Sequence, residues 1–598
     1  MLFDDVLRKL GEFGKFQQIV FVIACLPAIF EGFHNLNIIF ILAVPNHRCA
    51  IPGLENDTWE VQGDAHARLI NMTIPPGDEC HVYHDFNGTL AANTTATTPC
   101  DSWVYDTSVF QSTAATDFNL VCDKKILRST VNMMFMIGML CGGIVGGRLA
   151  DRFGRKTTIC IITNGFFLFG LALALSTDIY MMIIVRFFNG FTDMAYYAAA
   201  YAMSMEFVGP SKRKITGICI GGFFTAGYIL ITPVAYLIRH WRYFQVALSI
   251  PSLVLISYWW ILPESPRWLL IRGRAAEAEA ILRRAARINH VTLPKKLFDS
   301  TTLYEKAVKD SFFRMIKYKV LLLRTLIICF NWGACSMMYY GLSLNSGNLV
   351  GDIFVNFLVI GLIEYPALAF AIVTINPLGR KKPYSFAMLL GGTSCLASIF
   401  VAVFGSVSTT WALTMLSTIG KFGISAGFSL IYLYTAELSP TVVRSIHIGI
   451  GSVSARIFTM IAPYIADLGE FVGGHFSKAL PLVVFGAISV TAGLLALMLP
   501  ETKGRNLPET IEDALHYTRK PRKGSVHIAV TNPGFEDDDD NWDEDHQAMI
   551  VRSSHWNGPE ATPEVNEAAA YDIIPAQEVE TNGEMGPLRM DEDFPSTA

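Results

Sequence analysis

The feature that most constrains this chain is a series of apolar runs, each close to 20 residues long. A helix needs about 20 apolar residues to cross the ~30 Å hydrocarbon core of a bilayer. Of the 598 residues, 52% are hydrophobic and only 17% are charged, which is more apolar sequence than a soluble protein needs. We therefore predict an all-α membrane protein with twelve transmembrane helices. The runs are residues 19–42, 130–150, 158–176, 180–204, 214–238, 243–262, 320–341, 352–375, 384–405, 410–434, 446–469 and 478–499.

Residues 43–128 form a long polar segment between the first two runs. The four N-x-S/T sequons of the chain all lie in it, which predicts a large, glycosylated extracellular loop. They are Asn56, Asn71, Asn87 and Asn93. The loop also contains four cysteines, which in an oxidising compartment predict two disulfides in one of three pairings. These are Cys49, Cys80, Cys100 and Cys122.

The segments outside the runs predict the orientation of the chain. The first run has no convincing cleavage site, so we expect residues 1–18 to be a cytoplasmic N-terminus. Residues 263–319 contain thirteen Lys and Arg against six Asp and Glu, which predicts cytoplasmic linker helices.

The C-terminal residues 500–598 are expected to be cytoplasmic and mostly disordered. They begin with a short helix candidate, PETIEDAL, and continue into an acidic stretch from Glu536 to Asp545. The terminal Ser596-Thr597-Ala598 is a weak match to a ligand of a scaffold domain, and a solvated tail is the simpler interpretation.

Three short motifs occur twice in the chain, in the same order. They recur at spacings of 225, 231 and 237 residues. The pairs are Gly154-Arg155-Lys156 with Gly379-Arg380-Lys381, Glu206 with Glu437, and Pro263-Glu264-Ser265 with Pro500-Glu501-Thr502. This repeat predicts two six-helix halves, residues 19–262 and 320–499, of parallel topology. Transporters with this arrangement hold a substrate near the membrane midplane between two moving halves.

The sequence GGIVGGRLADRFGRK, from Gly142 to Lys156, is a short basic link between the second and third runs. Short basic links stay in the cytoplasm, and glycines allow two helices to approach closely. Asp151 and Arg152 are suited to bond helix ends and a facing charge, so we predict that the link latches one conformation. A basic loop without a switching role is the alternative.

Several motifs resemble those of a known family. GGRLADRFGRK resembles the loop motif of the major facilitator superfamily, whereas PESPRWLLIRGR, YTAELSPTVVRS and PETKGRNLPET resemble motifs of its organic cation, carnitine and organic anion transporter family. The similarity extends from about residue 1 to residue 517. GLSLNSGNLVGDIFVNFLV and GKFGISAGFSLIYLYTAEL are most similar to the carnitine and zwitterion branch, although Ser439 replaces its usual tyrosine. The resemblance implies the major facilitator fold and transport by alternating access.

Charged residues inside the apolar runs indicate a substrate or ion path, because burying them is costly. Arg456, about ten residues into the eleventh run, can offer a two-pronged contact to a carboxylate. By resemblance, this position carries Arg in carnitine and anion transporters and Asp in strict cation transporters, which implies a substrate with a negative group. The alternative is permanent pairing with another helix.

Glu31 lies about twelve residues into the first run. It either pairs with Arg456, faces the cationic end of a substrate, or binds a proton or sodium ion. The nearby His34 and Asn35 resemble residues of the anion transporters, with helix packing as the alternative role of His34.

Five aromatic residues match cavity-lining positions of the family. Quaternary ammonium groups are held over aromatic faces, at about 0.5 to 2 kcal/mol per contact. The resemblance implies that these residues form an aromatic cage for a substrate cation, although membrane aromatics are often packing residues. They are Tyr197, Tyr228, Trp332, Tyr339 and Tyr432.

Other charged positions are assigned by their resemblance to family positions. Lys421 is expected to recognise anions or to pair with an acidic neighbour. Arg186 and Glu364 are expected to have structural or coupling roles, and Asp193 lies on the same helix face as Arg186. A last group is expected to close the cytoplasmic gate through carboxylate–arginine pairs between the halves. It comprises Glu206, Glu437, Arg213 and Arg444.

These features predict a plasma-membrane transporter of small organic cations or carnitine-like zwitterions. We expect no cofactor, with Na⁺ or H⁺ as the candidate coupled ion. The expected partners are a small-molecule substrate and the lipid bilayer, and no nucleic acid. The alternatives are an organic anion exchanger and a substrate sensor that does not cycle. An enzyme is not predicted, since the sequence has no convincing nucleotide loop, metal cluster or activated nucleophile.

Overall fold

A computed structural model describes residues 3–83, 97–294, 297–298, 312–349, 351–405, 411–472, 477, 479–505 and 507–517. In these ranges, ten helical segments are long and apolar enough to cross a membrane. Two further helices bring the set to twelve, which we number spans 1 to 12 in chain order. One contains three charged residues, Arg186, Asp193 and Glu206, and the other is only 17 residues long.

Each of the twelve predicted runs overlaps one span. The bounds are Lys15–Ile41, Ile126–Phe153, Arg155–Ala174, Ile179–Phe207, Arg213–Leu237, Trp241–Ile261, Lys319–Asn345, Ile353–Ile375, Lys381–Phe404, Trp411–Leu438, Arg444–Ala466 and Leu480–Ala496. We call the ends of the spans beside residues 43–128 the loop face, and the opposite ends the linker face.

Three spans are interrupted, and a proline lies near each interruption. Span 1 consists of Lys15–Cys25, Ala28–Leu36 and Ile38–Ile41. Span 6 passes from Trp241–Ser249 through a 3₁₀ stretch to Tyr258–Ile261, and span 8 consists of Ile353–Leu362 and Glu364–Ile375. Proline lacks a backbone N–H and so disturbs the helical hydrogen bonds. These interruptions were not predicted from the sequence.

The loop segment is held by two short antiparallel ribbons and two disulfides. Strand β1 (His47–Cys49) pairs with β4 (Trp103–Tyr105), and β2 (His81–Tyr83) pairs with β3 (Thr97–Pro99). The disulfides are Cys49–Cys100 and Cys80–Cys122, which is one of the three possible pairings. Asn56 and Asn71 are exposed, whereas Asn87 and Asn93 lie outside the described residues.

A buried ion pair stabilises the start of this loop. Arg48 contacts both carboxylate oxygens of Asp57, and the N–H of Ile51 and Nε2 of His66 also bond that carboxylate, at 2.8 and 3.0 Å. Burial acts to raise the pKa of Asp57, but the hydrogen bonds from Arg48 and Ile51 outweigh it and hold the pKa below the ordinary 3.8.

Close helix contacts depend on small residues, as predicted for the glycine-rich link. Spans 2 and 4 cross at Gly142, where a Cβ atom would overlap the carbonyl oxygen of Phe191. The link itself turns at Gly154, whose φ of +98° is readily adopted only by glycine.

Shorter helices lie at the two faces. Those of the loop segment and loop face are Asp64–Thr73, Ala114–Asp117 and Leu468–Val472. Those of the linker face are Phe3–Lys9, Pro266–Ile271, Ala275–Asn289, Phe312–Ile316 and Ile511–His516. The last is the predicted PETIEDAL helix, and it carries a Thr510–Asp513 capping box. The acidic stretch and the terminal tripeptide lie outside the described residues.

Candidate functional site

Arg456 of span 11 points across the interface between the two halves. Its side chain is buried, and its Nη2 lies 3.0 Å from Sδ of Met194 on span 4. Thioether sulfur is a weak acceptor. The Nε and Nη1 groups of Arg456 have no hydrogen-bond partner among the described residues. The guanidinium is therefore positioned between the halves with donor groups to offer.

Two carboxylates on the first half accompany Arg456. Glu31 of span 1 and Asp193 of span 4 are buried, and each is an electrostatic neighbour of the other and of Arg456. Asn35, one turn after Glu31, donates to Asp193 at 3.3 Å. No ion pair of 4.0 Å or less joins Arg456 to either acid, so the permanent pairing considered for Glu31 is absent from this structure.

Two tyrosines from opposite halves lie near one another at the same interface. Tyr197 of span 4 and Tyr432 of span 10 are half-buried electrostatic neighbours, and both lie near Arg456. Tyr340 of span 7 is a further neighbour that interacts with Arg456 by a side-chain hydrogen bond as well as electrostatically, and the sequence analysis did not identify it. We call Glu31, Asp193, Tyr197, Tyr340, Tyr432 and Arg456 the Arg456 cluster.

Lys421 lies at a second polar contact between the halves. Its Nζ is 2.9 Å from Oε1 of Glu364 and 2.7 Å from Oγ of Ser343, and it is fully buried. Glu364 also accepts a hydrogen bond of 2.7 Å from Thr225 of span 5, in the other half. Of the two roles expected for Lys421, the structure contains the pairing with an acidic neighbour.

The five predicted aromatic residues do not form one cage. Tyr339 and Tyr228 lie beside Lys421, with ring centroids 3.3 and 5.5 Å from its Nζ. Trp332 contacts Tyr432 at 4.3 Å, and Tyr197 is on the Arg456 side. Phe428 contacts both Tyr339 and Tyr432, at 5.5 and 5.7 Å. The rings therefore form a row between two charged centres, because spans 7 and 10 carry them at different depths.

Arg186 attaches span 4 to span 1. Its Nη1 donates to the carbonyl oxygen of His34 at 2.8 Å and to Asn37 at 3.4 Å. Asp193 lies seven residues further, about 10 Å along the helix, so the two groups interact electrostatically without direct contact. The His34 ring stacks on Phe166 at 5.8 Å and is buried inside the first half, which is the packing role.

The residues expected to form a gate between the halves pair within each half instead. In the first half Arg155 lies 2.9 Å from Glu206, and in the second half Arg380 lies 2.7 Å from Glu437. Arg213 pairs with Asp4 at 2.8 Å, and Arg444 donates to Thr441 at 3.1 Å. In this structure, whose loop face is closed, each carboxylate meets the arginine at the start of the preceding span of its own half. Pairs between the halves stay a prediction for a state in which the linker face closes.

The backbone completes the same arrangement twice. Glu264 accepts hydrogen bonds from the N–H groups of Arg155 and Lys156, at 2.9 and 3.1 Å. Glu501 accepts the equivalent bonds from Arg380 and Lys381, at 2.9 and 3.1 Å. We call these two arrangements the linker-face brackets. All six arginine and glutamate positions of the brackets stand in the repeated motifs, which was the signal that could have identified them.

Asp151 and Arg152 hold the linker mainly through their backbone. The Asp151 carbonyl accepts from Trp268 and Arg272, both at 2.9 Å, and the Arg152 carbonyl accepts from Arg272 at 3.0 Å. The Asp151 side chain is 75% exposed and pairs with Arg155 at 3.1 Å. These contacts dock helix Pro266–Ile271 onto the glycine-rich link.

Direct bonds also join the halves at the loop face. Ser129 of span 2 donates to Asp467, just after span 11, at 2.6 Å, and Arg128 lies 3.9 Å from the same carboxylate. Thr130 lies 3.2 Å from the hydroxyl of Tyr464. The loop face is therefore closed by polar contacts between spans 2 and 11.

Comparison with known proteins agrees with this architecture. A family model described as "Sugar (and other) transporter" matches residues 87–514. The "Organic cation transporter protein" of Drosophila melanogaster is 36% identical over 87% of this chain and 96% of its own length. The "Organic cation/carnitine transporter 2" of Homo sapiens is 32% identical over 89% of this chain and 98% of its own length.

Solved structures of the xylose transporter XylE from E. coli have a similar fold. Its inward-open conformation superposes with a TM-score of 0.54 at 16% identity, covering 84% of this chain and 99% of XylE. The proton:xylose symporter bound to 6-bromo-6-deoxy-D-glucose gives a TM-score of 0.52, over 82% of this chain and 98% of that one. At this identity the comparison establishes the fold only. The family match, the curated relatives and the duplicated six-span halves agree, and the chain belongs to the organic cation and carnitine transporter family of the major facilitator superfamily, a family of transporters rather than enzymes.

Proposed function

We propose that this protein transports small organic cations and carnitine-like zwitterions across the plasma membrane. The observation that carries the proposal is Arg456, a buried guanidinium between the halves whose Nε and Nη1 groups have no protein acceptor among the described residues. Buried polar groups are normally hydrogen-bonded, so these donors favour a ligand with acceptor oxygens. The names of the curated relatives support this substrate class.

A zwitterion fits the charges of the Arg456 cluster. Its carboxylate would bind Arg456, and its quaternary ammonium would lie over the faces of Tyr197 and Tyr432, which belong to opposite halves. A substrate that contacts both halves stabilises the conformation in which the two halves lie close together around it. An organic cation without a carboxylate would use only the ring faces and the two acids.

The coupled ion is proposed to bind at Glu31 and Asp193. In the empty protein, both acids share the positive potential of Arg456. When a substrate carboxylate binds Arg456, it offsets the positive charge that compensates these two acids. The acids then gain affinity for a cation. Each has an oxygen without a partner among the described residues, Oε2 of Glu31 and Oδ1 of Asp193. A proton or a sodium ion would restore the balance.

The loop face is proposed to be extracellular, with both termini and the linker in the cytoplasm. The four sequons and two disulfides of the loop segment support this orientation. The contacts of Ser129 and Thr130 with span 11 then close the outside, and the membrane domain must part there to receive substrate.

Uptake into proteoliposomes tests the proposal. Labelled carnitine, tetraethylammonium and a dicarboxylate would be compared, each with and without a sodium gradient and a pH gradient. We expect carnitine and tetraethylammonium to be transported and the dicarboxylate to be excluded. Uptake of the dicarboxylate alone would support the organic anion exchanger, and ligand binding without any uptake would support the sensor. Lys421, which would favour an anion exchanger if it were free, is neutralised by Glu364.

A further inference from the structure

A cavity of about 350 Å³ lies at the loop face, between the ends of spans 1, 2, 7, 8 and 11. Ligand sites for small organic molecules begin at roughly 300 Å³. None of the predicted substrate-binding residues lines it, so it is separate from the Arg456 cluster. Its walls come from both halves, including Asn132 of span 2 and Pro463 of span 11.

The cavity has an excess of negative charge. Asp106, Asp352 and Asp467 line it, against one cation, Arg128. Neutral donors hold two of these carboxylates: the N–H groups of Ser108 and Phe354 donate to Asp106 and Asp352 at 2.9 and 2.7 Å. Such donors orient the two carboxylates without neutralising them. Asp467 instead lies 3.9 Å from Arg128. The hydrogen bonds from Ser108 also lower the pKa of Asp106, which keeps that group ionised.

Apolar side chains form part of the remaining wall, beside polar groups, and they select the kind of cation. Ile38, Ile39, Leu42, Phe110 and Ile353 line the cavity. A small inorganic cation would need several oxygen ligands around one point, and no group of three or more acidic, His or Cys side chains suited to a metal occurs in the described ranges. A cation with alkyl groups satisfies both the charge and the walls.

We propose that this cavity is a second binding site, which takes an alkyl-substituted organic cation from the outside and holds the loop face closed. The cation would bridge the halves at the point where Ser129 already bonds Asp467. A ligand that binds the closed loop face better than the open one shifts the protein toward closure. It would therefore lower the maximum rate of transport and leave KM unchanged. The cation class and the sidedness rest on the proposed function.

Cysteine protection tests the site without requiring transport. Val109 lines the cavity and is 42% exposed, so Val109→Cys gives a cysteine that a membrane-impermeant methanethiosulfonate reagent can reach. We expect tetrapentylammonium to slow its modification at least tenfold. Val61→Cys, on the same loop but outside the cavity, is the matched control and should react at an unchanged rate.

Two further variants, one that removes charge from the cavity and one that fills it, distinguish binding in the cavity from nonspecific protection of the cysteine. The double variant Asp106→Asn/Asp352→Asn keeps the hydrogen-bond acceptors and the helix cap, and it should abolish protection of Val109→Cys. Val109→Trp, which fills the cavity without changing charge, should abolish the fall in maximum transport rate caused by external tetrapentylammonium. Protection that survives the double variant, or purely competitive inhibition in the parent protein, would overturn the inference. Loss of transport with protection retained would overturn only the proposed function.

Discussion

At the scale of single residues, three buried acids and three buried bases lie in the membrane interior, in the Arg456 cluster, at the Lys421–Glu364 pair and at Arg186. The acids are Glu31, Asp193 and Glu364, and the bases are Arg186, Lys421 and Arg456. Lys421 and Glu364 are in direct contact, 2.9 Å apart. Glu31, Asp193 and Arg456 share a field without direct ion pairs, and each retains an atom with no partner among the described residues. Buried groups left in this condition cost stability, which supports the proposal that they are kept for binding.

Replacing Arg456 should separate the two substrate types. Arg456→Ala removes the charge-assisted hydrogen bonds to a carboxylate, so carnitine uptake should fall about 10- to 100-fold. Tetraethylammonium, which has no carboxylate, should be transported within about threefold of the original rate. Uptake of both substrates, measured after normalising for protein in the vesicles, checks this. Equal loss of both would mean that Arg456 supports the fold.

Replacing Glu31 should change ion dependence. Glu31→Gln keeps the size of the side chain and removes its charge, so the stimulation of carnitine uptake by a sodium or proton gradient should disappear. Uptake measured at matched gradients checks this. Gln17→Glu is not a suitable control, because Gln17 accepts a hydrogen bond from Asn289 and is itself buried. Glu60→Gln, on the exposed loop, is the suitable control. An unchanged gradient dependence would remove Glu31 from the ion path.

The sequence identified Arg456, Glu31 and Lys421 because a charge inside an apolar run stands out. It could not choose their partners. Lys421 meets Glu364 at the point where span 8 is interrupted at Ile363 and a new helix starts at Glu364. Which side chains pair with one another depends on how the helices cross, and residue spacing along one helix gives no information about that crossing.

At the scale of structural elements, the linker-face brackets explain why the repeated motifs recur. Gly154 and Gly379 both adopt a positive φ, and the following arginine then starts a helix with its N–H directed at a glutamate. The repeat predicted that these positions are equivalent. It did not predict that the ion pairs stay within each half, because equivalence in sequence does not say which copy a side chain contacts.

The two partners of Arg155 should differ in their importance. Glu206 is 12% exposed, so Glu206→Gln leaves a buried arginine undercompensated and should destabilise the protein by about 3 kcal/mol. Asp151 is 75% exposed, so Asp151→Asn should cost less than about 1 kcal/mol. Thermal unfolding of the purified variants in one detergent measures both. A larger effect at Asp151 would contradict the bracket.

The loop segment should lose stability in acid through Asp57. Its pKa is lowered in the folded protein, so its contribution is present above 3.8 and is lost as the pH falls through the folded value. The hydrogen-exchange protection of residues 47–66, measured against the intrinsic exchange rate at each pH, should therefore fall below about pH 4 in the parent protein. Asp57→Asn should show fast exchange already at neutral pH, with no such acid step. A retained acid step in this variant would assign the effect to another group.

At the scale of the whole molecule, the number and order of the spans could be predicted because membrane-length apolar runs have few alternative structures. The interruptions of spans 1, 6 and 8 could not, since proline is tolerated in membrane helices and does not by itself mark a break. Tight crossings such as Gly142 against Phe191 were foreseen from glycine content, although the partner span was not.

A cross-link at the loop face should stop the transport cycle. Ser129 and Asp467 lie in contact across the halves, so Ser129→Cys/Asp467→Cys should form a disulfide under oxidation and block uptake. Reduction should restore most of the rate of the reduced double variant, and each single variant should be insensitive to oxidant. Full uptake by the oxidised, cross-linked protein would show that the loop face need not part.

The three buried acids and three buried bases named above have a consequence for the membrane voltage. With all six ionised, their charges sum to zero, whereas a single net charge crossing the bilayer would gain or lose about 2.3 kcal/mol per 100 mV. The return of the empty carrier should therefore be electrically silent. Voltage then acts only on steps in which the substrate or a co-transported ion adds charge to the carrier. Hyperpolarisation should therefore accelerate inward movement of the positively charged, loaded carrier and leave the return rate of the empty carrier unchanged.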